Sequence, residues 1–352
     1  MIFKLRRFKV LSLICMLLLG TLLLTGCGQS DSPSKPEAGD TQGSGEKQAA
    51  EQKSEGPDFP TKDITFIVPT SPGGGFDTFS RILAPALQKH LPNNPNIIVK
   101  NVPGANWLTG VSEIARSKPD GYTIGIFNNG NALMQITGAD VNLTKHTWIG
   151  RLTEQRYVGA LSAKSKLKSL DDMKKAGEFS AGIVSLKSSD GIGTLITYTE
   201  MGIEPSFVSH KGSSEAVLSG VRGDVDYNQL PLRTILEFVP TNDLIPIIAF
   251  APERLKGLPD VPTIKELGYE GLVDLVKVSY LVGGPPGIPE DVSKVLRDAF
   301  AKAIAEPEVI KKIEDTSKSE IVPGDHKAAA ETIQKSVDYY TKYKDLILEN
   351  SK

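Results

Sequence analysis

The sequence predicts an α/β protein with a mainly parallel sheet, arranged as two lobes around a ligand cleft. Two observations carry this. Apolar strand-like runs alternate with helix-like stretches from residue 59 onward, the order that builds parallel sheets. The alternation then occurs a second time, and about 290 residues suffice for two units of ordinary size. In such sheets ligands bind beyond the carboxyl ends of the strands, which makes a cleft between lobes the default site.

The elements follow in order. Residues 64–70 (ITFIVPT) read as a strand, 71–75 (SPGGG) as a turn and 76–90 as a helix. Strands are expected over 97–102 and 122–128, with a helix over 107–117 between them. Runs such as IIVKNV and YTIGIF suit strands covered on both faces. The second set places strands over 157–163, 181–186, 206–210, 225–230 and 245–250, with helices over 171–176, 193–201 and 213–221. A last apolar run, 276–282, stops at a hinge or rim loop, GGPPG (283–287). Helices follow over 290–305, 307–315 and 326–349. The expected division is 60–155 plus 283–352 for one lobe and 156–282 for the other.

Ahead of this body lies an address. Lys4, Arg6, Arg7 and Lys9 precede an apolar run over 10–24, then Leu24-Thr25-Gly26-Cys27. Basic, apolar and small residues in that order read as a secretory signal peptide over 1–26. The run of about 15 residues falls short of the roughly 20 a spanning helix needs. Leu-Thr-Gly-Cys resembles a bacterial lipobox, so Cys27 is expected to carry lipid, the alternative being an ordinary cysteine near a cleavage site. Residues 27–59 are polar, with almost nothing to bury, and form a flexible tether of about 30 Å mean reach. The expectation is an extracytoplasmic protein held to the cell membrane by lipid alone.

Composition narrows the chemistry. With 39% hydrophobic and 23% charged residues the chain is neither fibrous nor wholly disordered. Its net charge is −2, and setting aside the four leader charges leaves −6, which disfavours a nucleic-acid partner. Cys15 lies in the leader, so with Cys27 lipidated the folded part has no thiol for a disulfide, zinc site or nucleophile. His90, His146, His210 and His326 stand far apart with no ligand spacing. There is no G-x-S-x-G, H-E-x-x-H, P-loop or G-x-G-x-x-G motif. No catalytic residue, metal or cofactor is expected.

The positive feature is the glycine loop. Free N–H groups at a helix start carry partial positive charge, so Gly73, Gly74 and Gly75 could hold an anion; a purely geometric turn is the other reading. Asp77, in the first helical turn, could cap the helix or meet a donor on the ligand. Leu186-Lys187-Ser188-Ser189-Asp190-Gly191 repeats the arrangement, with Ser188 or Ser189 as cap or ligand contact. Two such loops would aim two helix starts at one carboxylate.

These residues resemble a known family, the extracytoplasmic receptors of tripartite tricarboxylate transporters, also called Bug receptors. The resemblance runs from about residue 59 to the end. Six segments carry it in order: ITFIVPTSPGGGFDTFSR (64–81), NVPGANWLTG (101–110), PDGYTI (119–124), HKGSSEAVLSGVRGDVDY (210–227), LPDVPTIKELGYEG (258–271) and GGPPGIP (283–289). It implies a two-lobed periplasmic-binding-protein fold closing on a small organic carboxylate. It implies first-lobe contacts from Thr70, Ser71, Gly74 and Asp77, with Asn128 or Asn129. Second-lobe contacts would come from Ser188, Ser189, Gly191, Lys211 and Gly212, with Asn228 and Gln229 as weaker candidates. His210 stands where the family commonly has Tyr, which would make a contact there pH-sensitive near neutrality. Trp107 stands where small residues are usual, and packs either on the cleft rim or on the lobe surface. The expected role is a monomeric receptor delivering a carboxylate to membrane permease subunits. A receptor feeding a sensor, an extracytoplasmic enzyme and a structural lipoprotein are the alternatives.

Overall fold

The computed structural model describes residues 58–317 and 321–350. The leader, Cys27 and the tether lie outside the described residues. Strand β1 (Ile64–Val68) is followed by α1 (Gly75–His90), β2 (Ile97–Asn101), α2 (Leu108–Arg116), β3 (Thr123–Asn128) and α3 (Ala132–Ile136). Then come β4 (Thr147–Ser162), α4 (Leu170–Ala176), β5 (Glu178–Ile183), α5 (Ser189–Glu200), β6 (Glu204–Ser209), α6 (Ser213–Arg222), β7 (Tyr227–Pro231), α7 (Leu232–Leu236) and β8 (Leu244–Ala249). Strand β9 (Lys277–Gly284) leads to α8 (Glu290–Ile304), α9 (Pro307–Ser317), α10 (His326–Lys342) and α11 (Lys344–Asn350).

The strands join in the order β2-β1-β3-β9-β4-β7-β5-β6, with β8 also on β4. The sheet is mixed rather than mainly parallel. Strands β1 with β2 and β3, and β5 with β6 and β7, are parallel. Every pairing of β4 or β9 is antiparallel. Short βαβ crossovers made the parallel sets legible; β4 and β9 meet across more than a hundred residues and left no local trace. Strand β4 spans both regions, pairing with β9 up to Arg156 and with β7 and β8 from Tyr157.

Three expectations on elements need correction. Strand β2 is covered on one face only, and Ile98 is 51% exposed, because β2 is the edge of the sheet. Gly283 and Gly284 belong to β9, so the turn begins at Pro285. The last helix is two, α10 and α11, divided at Tyr343.

Helix α1 shows how packing positions a loop. Phe76, Phe79, Leu83 and Leu87 recur at helical spacing and are buried against the core that also takes Phe66, Leu296 and Phe300. That buried stripe fixes the rotation of α1, and so the direction in which its first N–H groups point.

Candidate functional site

Three helix starts converge on one cavity. The chain leaves β1 at Val68 for α1, leaves β5 at Ile183 for α5, and leaves β6 at Ser209 for α6. The residues preceding these helices, Gly74, Ser188 and Gly212, make no side-chain cap bond. The first N–H groups of a helix have no partner within it, and the aligned peptide dipoles concentrate positive charge there. Gly74, Gly75, Ser188, Ser189, Gly212 and Ser213 all line a cavity of about 570 Å³, a size suited to a small molecule. Phe76, Trp107, Tyr157, Tyr280, Pro231 and Val278 supply apolar wall.

Hydrogen bonds hold the first loop rigid. Gly73 adopts φ 89°, where an L side chain would be strained. Its N–H donates to Asp77 Oδ2 at 2.9 Å. Asp77 also accepts from Arg81 Nε at 3.0 Å and from Asn101 Nδ2 at 2.9 Å. Asn101 Nδ2 donates in addition to the Thr70 carbonyl at 3.0 Å. The Arg81 bond, helped by Gly73 and Asn101, outweighs desolvation and lowers the Asp77 pKa to about 2.

The second loop uses a carboxyl group differently. Asp190 Oδ2 accepts the Val184 N–H at 2.6 Å, and Oδ1 lies 2.5 Å from Ser188 Oγ. Ser188 Oγ also lies 2.5 Å from the Ser185 carbonyl and accepts the Ser185 N–H. A hydroxyl has one proton to donate. The Ser188 hydroxyl therefore lies between two acceptors, the Asp190 carboxyl group and the Ser185 carbonyl, and donates to one of them at a time. Burial raises the Asp190 pKa and outweighs the Ser188 hydroxyl and the Val184 N–H, which lower it. No basic side chain offsets that burial among the described residues.

Of the residues expected at the site, Thr70, Ser71, Gly74, Gly75, Asn128, Ser188, Ser189, Lys211 and Gly212 line the cavity. Gly73, Asp77, Asn129, Gly191, His210 and Gln229 do not. Asp77 braces the loop. Asn129 staples its turn to β9, donating to the Lys277 carbonyl and accepting the Ser279 N–H. A side chain at Gly191 would run into the Ser185 carbonyl, so that glycine serves close packing. His210 donates its backbone N–H to the Ile183 carbonyl, and although the residue is half-buried its Nε2 is buried without a protein partner. Gln229 accepts from the Tyr227 hydroxyl, while Asn228 donates to Gly182 and Ala216, tying α6 to β5. Among the described residues no group of three or more His, Cys, Asp or Glu is placed to hold a metal ion.

The family model described as tripartite tricarboxylate transporter family receptor matches residues 79–350. The chain belongs to this family. Its members are solute-binding receptors and not enzymes. The chain is 26% identical over 263 residues to Protein BugT of Bordetella pertussis, a match covering 72% of this chain and 79% of that one. Its fold is similar to that of MatC from Rhodopseudomonas palustris with bound malate, at a TM-score of 0.67 and 20% identity, covering 82% and 100% of the two chains. A second R. palustris protein, solved with adipate, gives 0.69 and 20%, covering 84% and 99%. These neighbours are two-lobed solute-binding proteins, and this tripartite transporter receptor shares that fold.

Several cleft residues of this receptor were missed from sequence. Tyr157 comes from β4 and Tyr280 from β9, and they enter one wall only through the long-range strand pairing. Asp190 was within reach, since it follows Ser188-Ser189 much as Asp77 follows Gly74-Gly75. Trp107 lines the cavity and packs on Phe76 at 5.8 Å between ring centroids, so it belongs to the cleft wall.

Proposed function

We propose that this receptor captures a small organic carboxylate in the cavity between its lobes and delivers it to the membrane subunits of a tripartite tricarboxylate-type transporter. The observation that carries the reading is the meeting of three uncapped helix starts at one wall, an arrangement made for an anion. Each dipole contributes about 0.3–1 kcal/mol, and up to about 2 when partly buried. Hydrogen bonds to a charged group add about 1.5–3 kcal/mol each. Micromolar affinity requires about 8 kcal/mol, which a few amides and hydroxyls with apolar contact supply. Lys211, exposed at the same cavity, adds a positive charge. The malate and adipate held by the two fold neighbours support the same ligand class.

The lobes we assign are 60–155 with 283–352, and 156–282. The change of partners along β4 at Arg156 and Tyr157 supports that division. The leader and Cys27 support export and a lipid anchor, with the receptor acting outside the cytoplasm as a monomer. A thermal-shift screen against mono-, di- and tricarboxylates, amino acids and neutral sugars tests the ligand class. A ligand at 100 times its Kd adds about 2.7 kcal/mol, a shift of a few degrees. Shifts confined to carboxylates support the reading; shifts with sugars alone reject it.

A further inference from the structure

A second cavity of about 630 Å³ adjoins the cleft and shares Ala105, Asn106 and Trp107 with it. These three consecutive residues have φ of 45°, 51° and 71°, a left-handed run rare for non-glycine residues. The run holds the Trp107 ring against Phe76, at the boundary of the two spaces. Beyond it the wall is formed by Leu108 and, from α3, by Leu133 and Met134. Gly130 lines the second cavity and Ser189 the first; a side chain at Gly130 would strike Ser189 Oγ, so the glycine lets these two walls pack together. The cleft is rich in N–H and hydroxyl groups, while the annex is lined mostly by the indole of Trp107 with Leu108, Leu133 and Met134, and Thr137 and Lys187 supply its polar part. Together they match a molecule with one anionic and one apolar end.

We propose that the annex receives an apolar tail, so that the solute is a carboxylate bearing a hydrocarbon chain, its head at the helix starts and its tail past Trp107. The inference rests on the anion reading of the cleft. Calorimetry of the full chain with butanoate, hexanoate and octanoate tests it. Burial of each methylene should tighten Kd about three- to fourfold, and Thr137→Trp, which puts an indole into the annex, should flatten that dependence. Bromine quenches a nearby indole, so 8-bromooctanoate should quench the wild-type tryptophan fluorescence, and Trp107→Phe should remove the quenching. If carboxylates bind with no dependence on chain length, the tail site falls and the anion cleft stands. If no carboxylate binds at all, both fall. Quenching that persists in Trp107→Phe also overturns the tail site.

Discussion

The Asp77 carboxylate accepts the N–H of Gly73, four residues earlier, and so closes the glycine loop on the helix that follows it. Of the two roles the sequence left open for this carboxylate, helix cap or ligand contact, the hydrogen bonds show it acting on the protein's own backbone. Its partner Asn101 ties the same group to β2, and Arg81, one turn further along α1, donates to both Asp77 and Asn101.

Asp77→Asn should therefore lower stability at neutral pH and weaken ligand binding indirectly, through a looser loop. The folded-state pKa, about 2, is depressed below the unfolded value, so the stabilisation is present above about pH 4 and lost as pH falls through about 2. Urea denaturation of both proteins from pH 5 to pH 2 should show their difference shrinking toward the acid end. A constant difference would reject the assignment.

Gly74 makes the complementary case. Its φ is −83°, open to any residue, and a Cβ there meets nothing within 4 Å. Gly74→Val should keep the melting temperature within about 2 °C while its side chain, entering the cavity, weakens carboxylate binding at least tenfold, about 1.4 kcal/mol. Calorimetry with the ligand found by screening decides this.

Asp190 predicts a pH dependence of binding. With its pKa raised by burial, the group is neutral at low pH, and its ionisation as pH rises both costs stability and opposes an anion in the same cavity. Affinity for a carboxylate should fall as pH rises through that pKa. Asp190→Asn, which stays neutral, should bind more tightly than wild type on the alkaline side and show a flatter pH profile. Equal slopes for the two proteins would reject the role.

Glu154 tests the strand pair beneath the site. This buried carboxylate lies 2.8 Å from Arg156 and 3.0 Å from Lys277, with Arg151 at 3.5 Å. Those attractions outweigh desolvation, the largest single influence, and lower its pKa. Glu154→Gln leaves the clustered cations without their anion and should cost about 3–5 kcal/mol of stability, read as a lower urea midpoint.

How far the sequence could be read follows from which interactions are local. The β1–loop–α1 unit was legible because strand, glycines and helix are contiguous, and the start of α5 was visible for the same reason, whereas the start of α6 was not read as a third. The first half of β4 was not, since Thr153, Glu154 and Gln155 are buried polar residues and do not read as an apolar strand. Their cover comes from β9, over a hundred residues away. The cleft followed the same rule. Gly74 and Ser188 could be placed from their own neighbourhoods and Gly212 from the family resemblance, whereas Tyr157 and Tyr280 needed the fold. Asp77 was read as either a cap or a ligand contact, because a carboxylate in a first turn serves backbone and ligand with the same chemistry, and the structure shows its bond to the Gly73 N–H.

The convergence of helix starts governs the empty protein as well as the loaded one. Three partial positive charges aimed at one space repel each other. Drawing the lobes together around a void would bring these ends closer at rising electrostatic cost. An anion between them reverses the sign of that cost. On the carboxylate reading, these charges would oppose closure of an empty cleft and favour closure around a bound anion.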